Sequence, residues 1–239
     1  MTETILDRLV AAKRSELAGL VAQTPLAELQ ARASDMPPTL NLSGALLGDG
    51  VRLIAEVKKA SPSKGAFVES YDPTSLACTY AENGAAAISV LTEVDHFQGS
   101  LSHLTAVKEA TAPWRPPILR KDFVVTSYQL LEAAAAGADA VLLIVAALDD
   151  GELGRLLSEA TALGLAVLVE VHSRPELARA ADAGATIIGV NNRNLRTLTV
   201  DLSASRTLIA DMPDRVVGVA ESGLRTSADL VELGQAGYG

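Results

Sequence analysis

Short glycine-centred signatures recur along this chain and constrain its architecture more than any other feature. Asn83-Gly84-Ala85, Ala136-Gly137-Ala138 and Ala183-Gly184-Ala185 each stand between a helix-like stretch and an apolar run, and Ala236-Gly237-Tyr238 repeats the helix-end signature. Glycine suits the left-handed conformation that ends a helix. The glycines are separated by 53, 47 and 53 residues, each step long enough for two βα units, and Gly164 marks an intermediate one. This regularity predicts an α/β protein of the (β/α)8 barrel type rather than a doubly wound sheet. No GxGxxG or GxxxxGK[ST] loop is present, which weighs against the two common nucleotide-binding α/β folds.

Apolar, β-branched runs predict strands over residues 52–58, 86–91, 117–122, 140–145, 166–171, 186–191 and 216–221. Helices are expected over residues 73–83, 126–136, 149–163, 175–183 and 227–235. The first 20 residues read as an amphipathic helix with Ile5, Leu6, Leu9 and Val10 on one face. Pro25, Pro37 and Pro38 mark a loop-rich connection after it. The expected division is therefore a helical N-terminal extension, residues 1–48, and a barrel, residues 49–239. Seven strands are counted, and the last helix-end signature should introduce an eighth. The expectation is a barrel whose last βα unit is missing from this chain, with first and seventh strands left as edges.

Composition narrows the function. Aliphatic side chains must fill the core, because AVILMFWYC residues make up 49% and aromatics only 3%. A net charge of −9 argues against nucleic acid or an anionic membrane as partner. It leaves room for an anionic small molecule at a locally basic site. No run approaches the roughly 18 uncharged apolar residues that a membrane span needs. The lone Cys78 permits no internal disulfide, which fits a reducing cytoplasm, and the three histidines show no metal-ligand spacing. No metal or cofactor is expected.

The chemistry sits where strands end. Within LIAEVKKASPSKG (53–65), Glu56 and Lys58 are two residues apart and so point the same way. Two charges on one strand face are costly unless paired or used. A purely structural Glu–Lys pair on an edge strand is the alternative reading. Other strand ends carry Arg120, Lys121 and Asp122, then Glu170, Asn191 and Arg193, then Glu221 and Ser222. In a βα barrel all such ends meet at one rim, so these groups are expected to converge on one mouth. A Lys121–Asp122 salt bridge is disfavoured, since strand neighbours face opposite ways. Glu170, closing LAVLVEV, is expected to be desolvated and its pKa raised. Partnership with a rim lysine is its structural alternative. His96 and His172 read as structural or surface residues.

The segments IAEVKKASPSKG (54–65), FQGS (97–100), LRKDFVV (119–125), LLIVAAL (142–148), LVEVHS (168–173), GVNNRNL (189–195) and AESG (220–223) closely resemble the indole-3-glycerol phosphate synthase family. The resemblance runs from the N-terminal helix to Gly239. It implies a cofactor-independent lyase of tryptophan biosynthesis. The expected reaction turns 1-(2-carboxyphenylamino)-1-deoxyribulose 5-phosphate into indole-3-glycerol phosphate, carbon dioxide and water. By the same resemblance, Lys121 is the general acid and Glu170 serves acid–base work in the dehydration. Lys58 holds the substrate carboxylate, and Glu56 and Asn191 orient lysine and substrate. Glu221 and Ser222 complete the catalytic set. Ser61, Arg193 and the Gly223 N–H match phosphate contacts, and Phe123 a residue lining the anthranilate pocket, although a lone Phe there is as readily core. The family's remaining phosphate contacts follow strand eight, so that part of the site is expected to be incomplete.

A monomer in the cytoplasm, acting on a phosphorylated small molecule, follows from this reading. Another phosphate-binding barrel, such as phosphoribosylanthranilate isomerase, is the enzymatic alternative, and the two lysines speak against it. An inactive truncated barrel serving as a binding module is the non-enzymatic one. Guanidinium binds phosphate through paired hydrogen bonds. Arg193→Ala should therefore chiefly raise KM in steady-state assays, and a loss confined to kcat would remove Arg193 from phosphate binding.

Overall fold

The computed structural model describes residues 4–62, 65–67, 70–194 and 197–238. Residues 1–3 of the expected first helix, Ser63 and Lys64 of the first signature segment, Leu195 and Gly239 lie outside the described residues. Seven strands form one parallel sheet: β1 (Ile54–Val57), β2 (Ala87–Leu91), β3 (Ile118–Lys121), β4 (Ala140–Ile144), β5 (Ala166–Val171), β6 (Ile187–Asn191) and β7 (Val217–Glu221). Their order in the sheet is their order in the sequence, each pairing with the next. This is the sequential winding of a barrel wall, and it lacks the order reversal of a doubly wound sheet. Among the described residues β1 and β7 each have a strand neighbour on one side only. A short hairpin, Ala60–Ser61 against Gly65–Ala66, follows β1.

Ten α-helices are present among the described residues: α1 (Ile5–Gln23), α2 (Leu26–Ser34), α3 (Leu42–Leu46), α4 (Pro73–Glu82), α5 (Leu101–Ala110), α6 (Ser127–Ala135), α7 (Asp150–Ala162), α8 (Arg174–Asp182), α9 (Ser203–Leu208) and α10 (Ser227–Ala236). Local sequence explains most starts. Asp72, Ser100, Asp149, Ser173 and Thr226 cap the helices that follow them, each side chain accepting a hydrogen bond from a first-turn N–H. The repeated glycines behave as expected: Gly84, Gly137, Gly164, Gly184 and Gly237 all have positive φ at helix ends.

Period-2 alternation separates two cores. Ala140, Leu142 and Ile144 of β4 face inward and cluster with Leu119, Leu168 and Ile187 inside the curled sheet. Val141 and Leu143 face outward and pack with Ile88, Ile118, Val169 and Ile188 beneath the helices. Leu6 of α1 and Leu42 and Leu46 of α3 join the inner cluster, so the N-terminal helices close the sheet's interior. Of the face expected on α1, Leu6 and Leu9 are buried and Ile5 and Val10 partly so.

The connection expected at the prolines is irregular at Pro37 and Pro38 but is interrupted by helices on either side. Pro25 is the N-cap of α2, and α3 begins four residues after Pro38. Proline is tolerated at a helix start because its missing N–H would be unsatisfied there anyway. Strand ends were also read too long: Lys58, Asp122 and Val145 lie just past β1, β3 and β4.

Leu42 is fully buried, whereas Leu26 is 45% exposed. Leu42→Ala should cost about 2–5 kcal/mol and lower Tm by several degrees. Leu26→Ala should stay within about 0.5 kcal/mol. Equal melting of the two variants would remove α3 from the barrel core.

Candidate active site

The register of the sheet sets the polar residues at one level. Lys121 on β3 stands opposite Leu91 of β2, Glu170 on β5 opposite Ile144 of β4, and Asn191 on β6 opposite Glu221 of β7. Parallel pairing puts all of these at C-terminal strand ends. A cavity of about 350 Å³ opens there, lined by Glu56, Lys58, Ser61, Lys121, Phe123, Glu170, Asn191, Arg193 and Ser222. A second, of about 390 Å³, shares Glu56, Lys58, Lys121, Arg193 and Ser222 and adds Glu221 and Gly223. Every residue singled out from the sequence for catalysis or binding thus lies on one contiguous mouth.

Lys121 is its electrostatic centre. Its Nζ donates to Glu221 Oε2 at 2.7 Å and lies 3.9 Å from Glu170 Oε2. Burial alone would lower the lysine pKa, but the charges of Glu221, Glu170 and Glu56 win and hold it well above the ordinary value. Lys58 pairs with Glu56 and sits 5.5 Å above the Phe67 ring. Burial pushes Glu56 up, and the charges of Lys121 and Lys58 outweigh it, so its pKa is lowered.

The two buried carboxyls flanking Lys121 are driven apart. Glu221 is raised to about 7, chiefly by burial, with the charge of Lys121 opposing and that of Glu170 adding. Its Oε1 is buried with no hydrogen-bond partner. Glu170, by contrast, is held down to about 2. Burial pushes it up, but His172, Lys121 and an amide hydrogen bond from Asn191 together prevail. The expected upward shift of Glu170 is therefore overturned. Burial acts as expected, yet the neighbouring positive charges and donors outweigh it, and the raised carboxyl is Glu221.

Glu221 depends on a glycine. A Cβ at Gly189 of β6, the residue paired with Glu170 of β5 and Val219 of β7, would clash with Glu221 Oε1. Beyond β7, Ser222 has φ +64° and Gly223 φ +85°, so the chain turns sharply at the mouth. Asn192 fastens this turn. Its Nδ2 donates to the Glu221 and Ser222 carbonyls at 3.0 and 3.2 Å, and its Oδ1 accepts from Ser205 N at 3.0 Å. Arg193 is tied locally, its N donating to Asn191 Oδ1 at 3.0 Å and its Nη1 to Leu198 O at 3.2 Å. Phe123 tilts against Phe97, with ring centroids 6.4 Å apart.

Arg120 and Asp122 do not belong to the mouth in the way their neighbour does. Alternation turns them from Lys121 into a buried network. Arg120 contacts Thr92, Gln129 O, Asp122 and Glu132, and Lys13 of α1 lies 3.6 Å from Asp122. This corrects the expectation for Arg120, which lines neither cavity, whereas Asp122 borders the first cavity while its carboxylate joins the buried network, in agreement with the argument against a Lys121–Asp122 bridge. Sequence reasoning missed Glu93 and Asn192 and read His172 as a structural or surface residue. Glu93 accepts backbone hydrogen bonds from Asp95, His96 and Phe97, which holds the FQGS loop against the cavity. Each sits one or two residues past a strand end, the only signal that pointed to it.

The family profile "Indole-3-glycerol phosphate synthase" matches residues 6–239. Proteins named indole-3-glycerol phosphate synthase are 48% identical in Roseiflexus sp. (strain RS-1), with 98% of this chain and 93% of that protein covered. One in Streptomyces griseus is 50% identical, with 98% and 86% covered. Among solved structures, thiamine phosphate pyrophosphorylase from Pyrococcus furiosus aligns with a TM-score of 0.60 at 18% identity over 83% of this chain and 85% of that one. N-acetylmannosamine-6-phosphate 2-epimerase from Clostridium perfringens aligns with a TM-score of 0.59 at 14% identity, over 78% and 83% of the two chains. These structural likenesses are of fold alone. By the profile and by identity over nearly its whole length, the chain belongs to the indole-3-glycerol phosphate synthase family.

Proposed function

We propose that this protein closes the pyrrole ring of 1-(2-carboxyphenylamino)-1-deoxyribulose 5-phosphate, releasing carbon dioxide and water and yielding indole-3-glycerol phosphate for tryptophan biosynthesis. The observation that carries the assignment of roles is the partly buried Lys121 ammonium, held between Glu221 and Glu170 at the barrel mouth. Ring closure begins when the carboxylate-bearing aromatic carbon attacks the ribulose carbonyl. Lys121 donates a proton to the alkoxide as it forms. Loss of carbon dioxide then returns the electron pair to the ring. Dehydration removes the new hydroxyl as water and a proton from the adjoining methylene carbon. Glu170, held ionised, is the acceptor for that proton. Glu221, near neutrality and 2.7 Å from Lys121, re-supplies the lysine. Lys58 neutralises the substrate carboxylate and Glu56 orients that lysine, with Asn191 and Ser222 aligning the reacting carbons. Ser61, Arg193 and the Gly223 N–H take the phosphate, and Phe123 with Phe97 covers the aromatic ring.

The fold reading is part of the proposal. The cavity bordered by Ile54 and Glu56 of β1 and Val219 to Leu224 of β7 and its loop separates the two edge strands. An eighth βα unit, beyond the described residues, would close the barrel there and complete the phosphate site. Residues 1–48 are the extension and 49–239 the barrel. No helix among the described residues is long and apolar enough to cross a membrane. With a net charge of −9 and one cysteine, we place the enzyme in the cytoplasm, as a monomer without nucleic-acid partners.

Indole fluorescence appearing when the chain meets the carboxyphenylamino-deoxyribulose phosphate tests the reaction. Lys121→Ala should cut turnover at least about a hundredfold, the usual scale for a positioned acid. Near-normal turnover would remove Lys121 from the role. Gly189→Ala should displace the Glu221 carboxylate and lower kcat by about tenfold or more while the fold persists by circular dichroism. Unchanged kcat would show that the placement of Glu221 does not matter.

A further inference from the structure

The Glu170 carboxylate has cations on opposite sides. One oxygen, Oε2, faces Lys121 across the barrel at 3.9 Å. The other, Oε1, lies 3.2 Å from Nε2 of His172, two residues further along the chain. The imidazole is gripped from behind. Its Nδ1 is 3.2 Å from Glu176 Oε2, and the same oxygen accepts the His172 backbone N–H at 2.7 Å. Ser173 caps α8 and so sets Glu176 in that helix's first turn. The Nε2–Oε1 approach is within ion-pair distance, although its angle is poor for a hydrogen bond.

His172 is absent from the walls of the cavity that holds Lys58, Lys121 and Phe123. It lines a separate polar cavity of about 590 Å³, with Asp7 of α1, Glu176 of α8, and Arg193 and Asp201 of the segment after β6. The charged groups around the ring are therefore Glu170 on its own strand, Glu176 from α8, Asp7 from α1, and Arg193 and Asp201 from that segment. The two carboxylates in contact with the ring outnumber the cations in contact with it.

We infer that His172 is a positioning residue of this enzyme: clamped by Glu176, its imidazolium orients the Glu170 carboxylate for accepting the substrate proton. The inference rests on the proposed role of Glu170 as that acceptor. The electrostatics agree. Burial would lower the His172 pKa, but contacts with Glu170 and Glu176 raise it to about 9, so the ring stays charged at neutral pH. The sign for Glu170 is the reverse, since a neighbouring cation favours its ionised form. Removing the cation raises the Glu170 pKa and widens the acidic range in which that carboxyl is protonated and idle.

His172→Gln keeps a polar side chain of similar length and removes the charge. The acid limb of its kcat–pH profile should move up by about one unit, with kcat at neutral pH reduced about tenfold and KM within about twofold. An acid limb that stays in place overturns the inference, whatever the rate. Glu170→Gln supplies the second measurement. In that variant the NMR titration midpoint of the His172 ring should fall by about one unit or more. An unchanged midpoint overturns the coupling while leaving the role of Glu170 standing. Full turnover by Glu170→Gln overturns the proton-acceptor reading, and the inference with it.

Discussion

The structure turns on one partly buried lysine. Lys121 places an ammonium inside the barrel mouth, where its desolvation has to be offset by nearby negative charge. Opposite unit charges about 4 Å apart attract by about 4 kcal/mol at an effective dielectric of about 20. Glu221 and Glu170 lie within that range, and Glu56 adds to the field. The arrangement imposes demands on the neighbouring strands. β6 must carry a glycine at position 189 to leave room for the Glu221 carboxylate, and the turn after β7 is held by Asn192.

The same strand is pinned on its other face. Arg120, Asp122, Thr92 and Glu132 form a buried network into which α1 inserts Lys13. The N-terminal helix is thereby fastened to the back of the lysine's own strand. Arg14 reaches Glu152 of α7, and the Tyr128 hydroxyl donates to the Leu20 and Thr24 carbonyls. At its other end α1 brings Ile5, Leu6 and Leu9 to the wall of the cavity. One helix therefore supports the strand of Lys121 from outside and lends apolar surface to the cavity.

The inversion of Glu170 and Glu221 shows what a local reading of acidity misses. LAVLVEV announces a desolvated carboxyl, and burial does push Glu170 upward. The opposing forces come from Lys121, 49 residues earlier, from Asn191 on the next strand, and from a histidine read as structural. Glu221 has the same burial and Lys121 as its principal cation, with two carboxylates beside it, so burial prevails. A pKa is the balance of all charges that converge on a point. Sequence order gives only the first contribution.

From the sequence alone came the barrel winding, because helix-end glycines and apolar strand runs are local signals with a fixed spacing. The convergence of the candidate residues was also legible: residues at and just beyond the ends of parallel strands share one rim, and nine polar ones, with Phe123 and Gly223, line a single mouth. Tertiary structure decided the rest. It sent Arg120 to the far side of the wall and tied the Asp122 carboxylate to it, placed α2 and α3 on either side of the loop at Pro37 and Pro38, and brought Glu93, His172 and Asn192 to the rim. It also assigned which carboxyl is ionised. Those outcomes depend on distances between side chains on different strands, and such distances exist only once the sheet has curled.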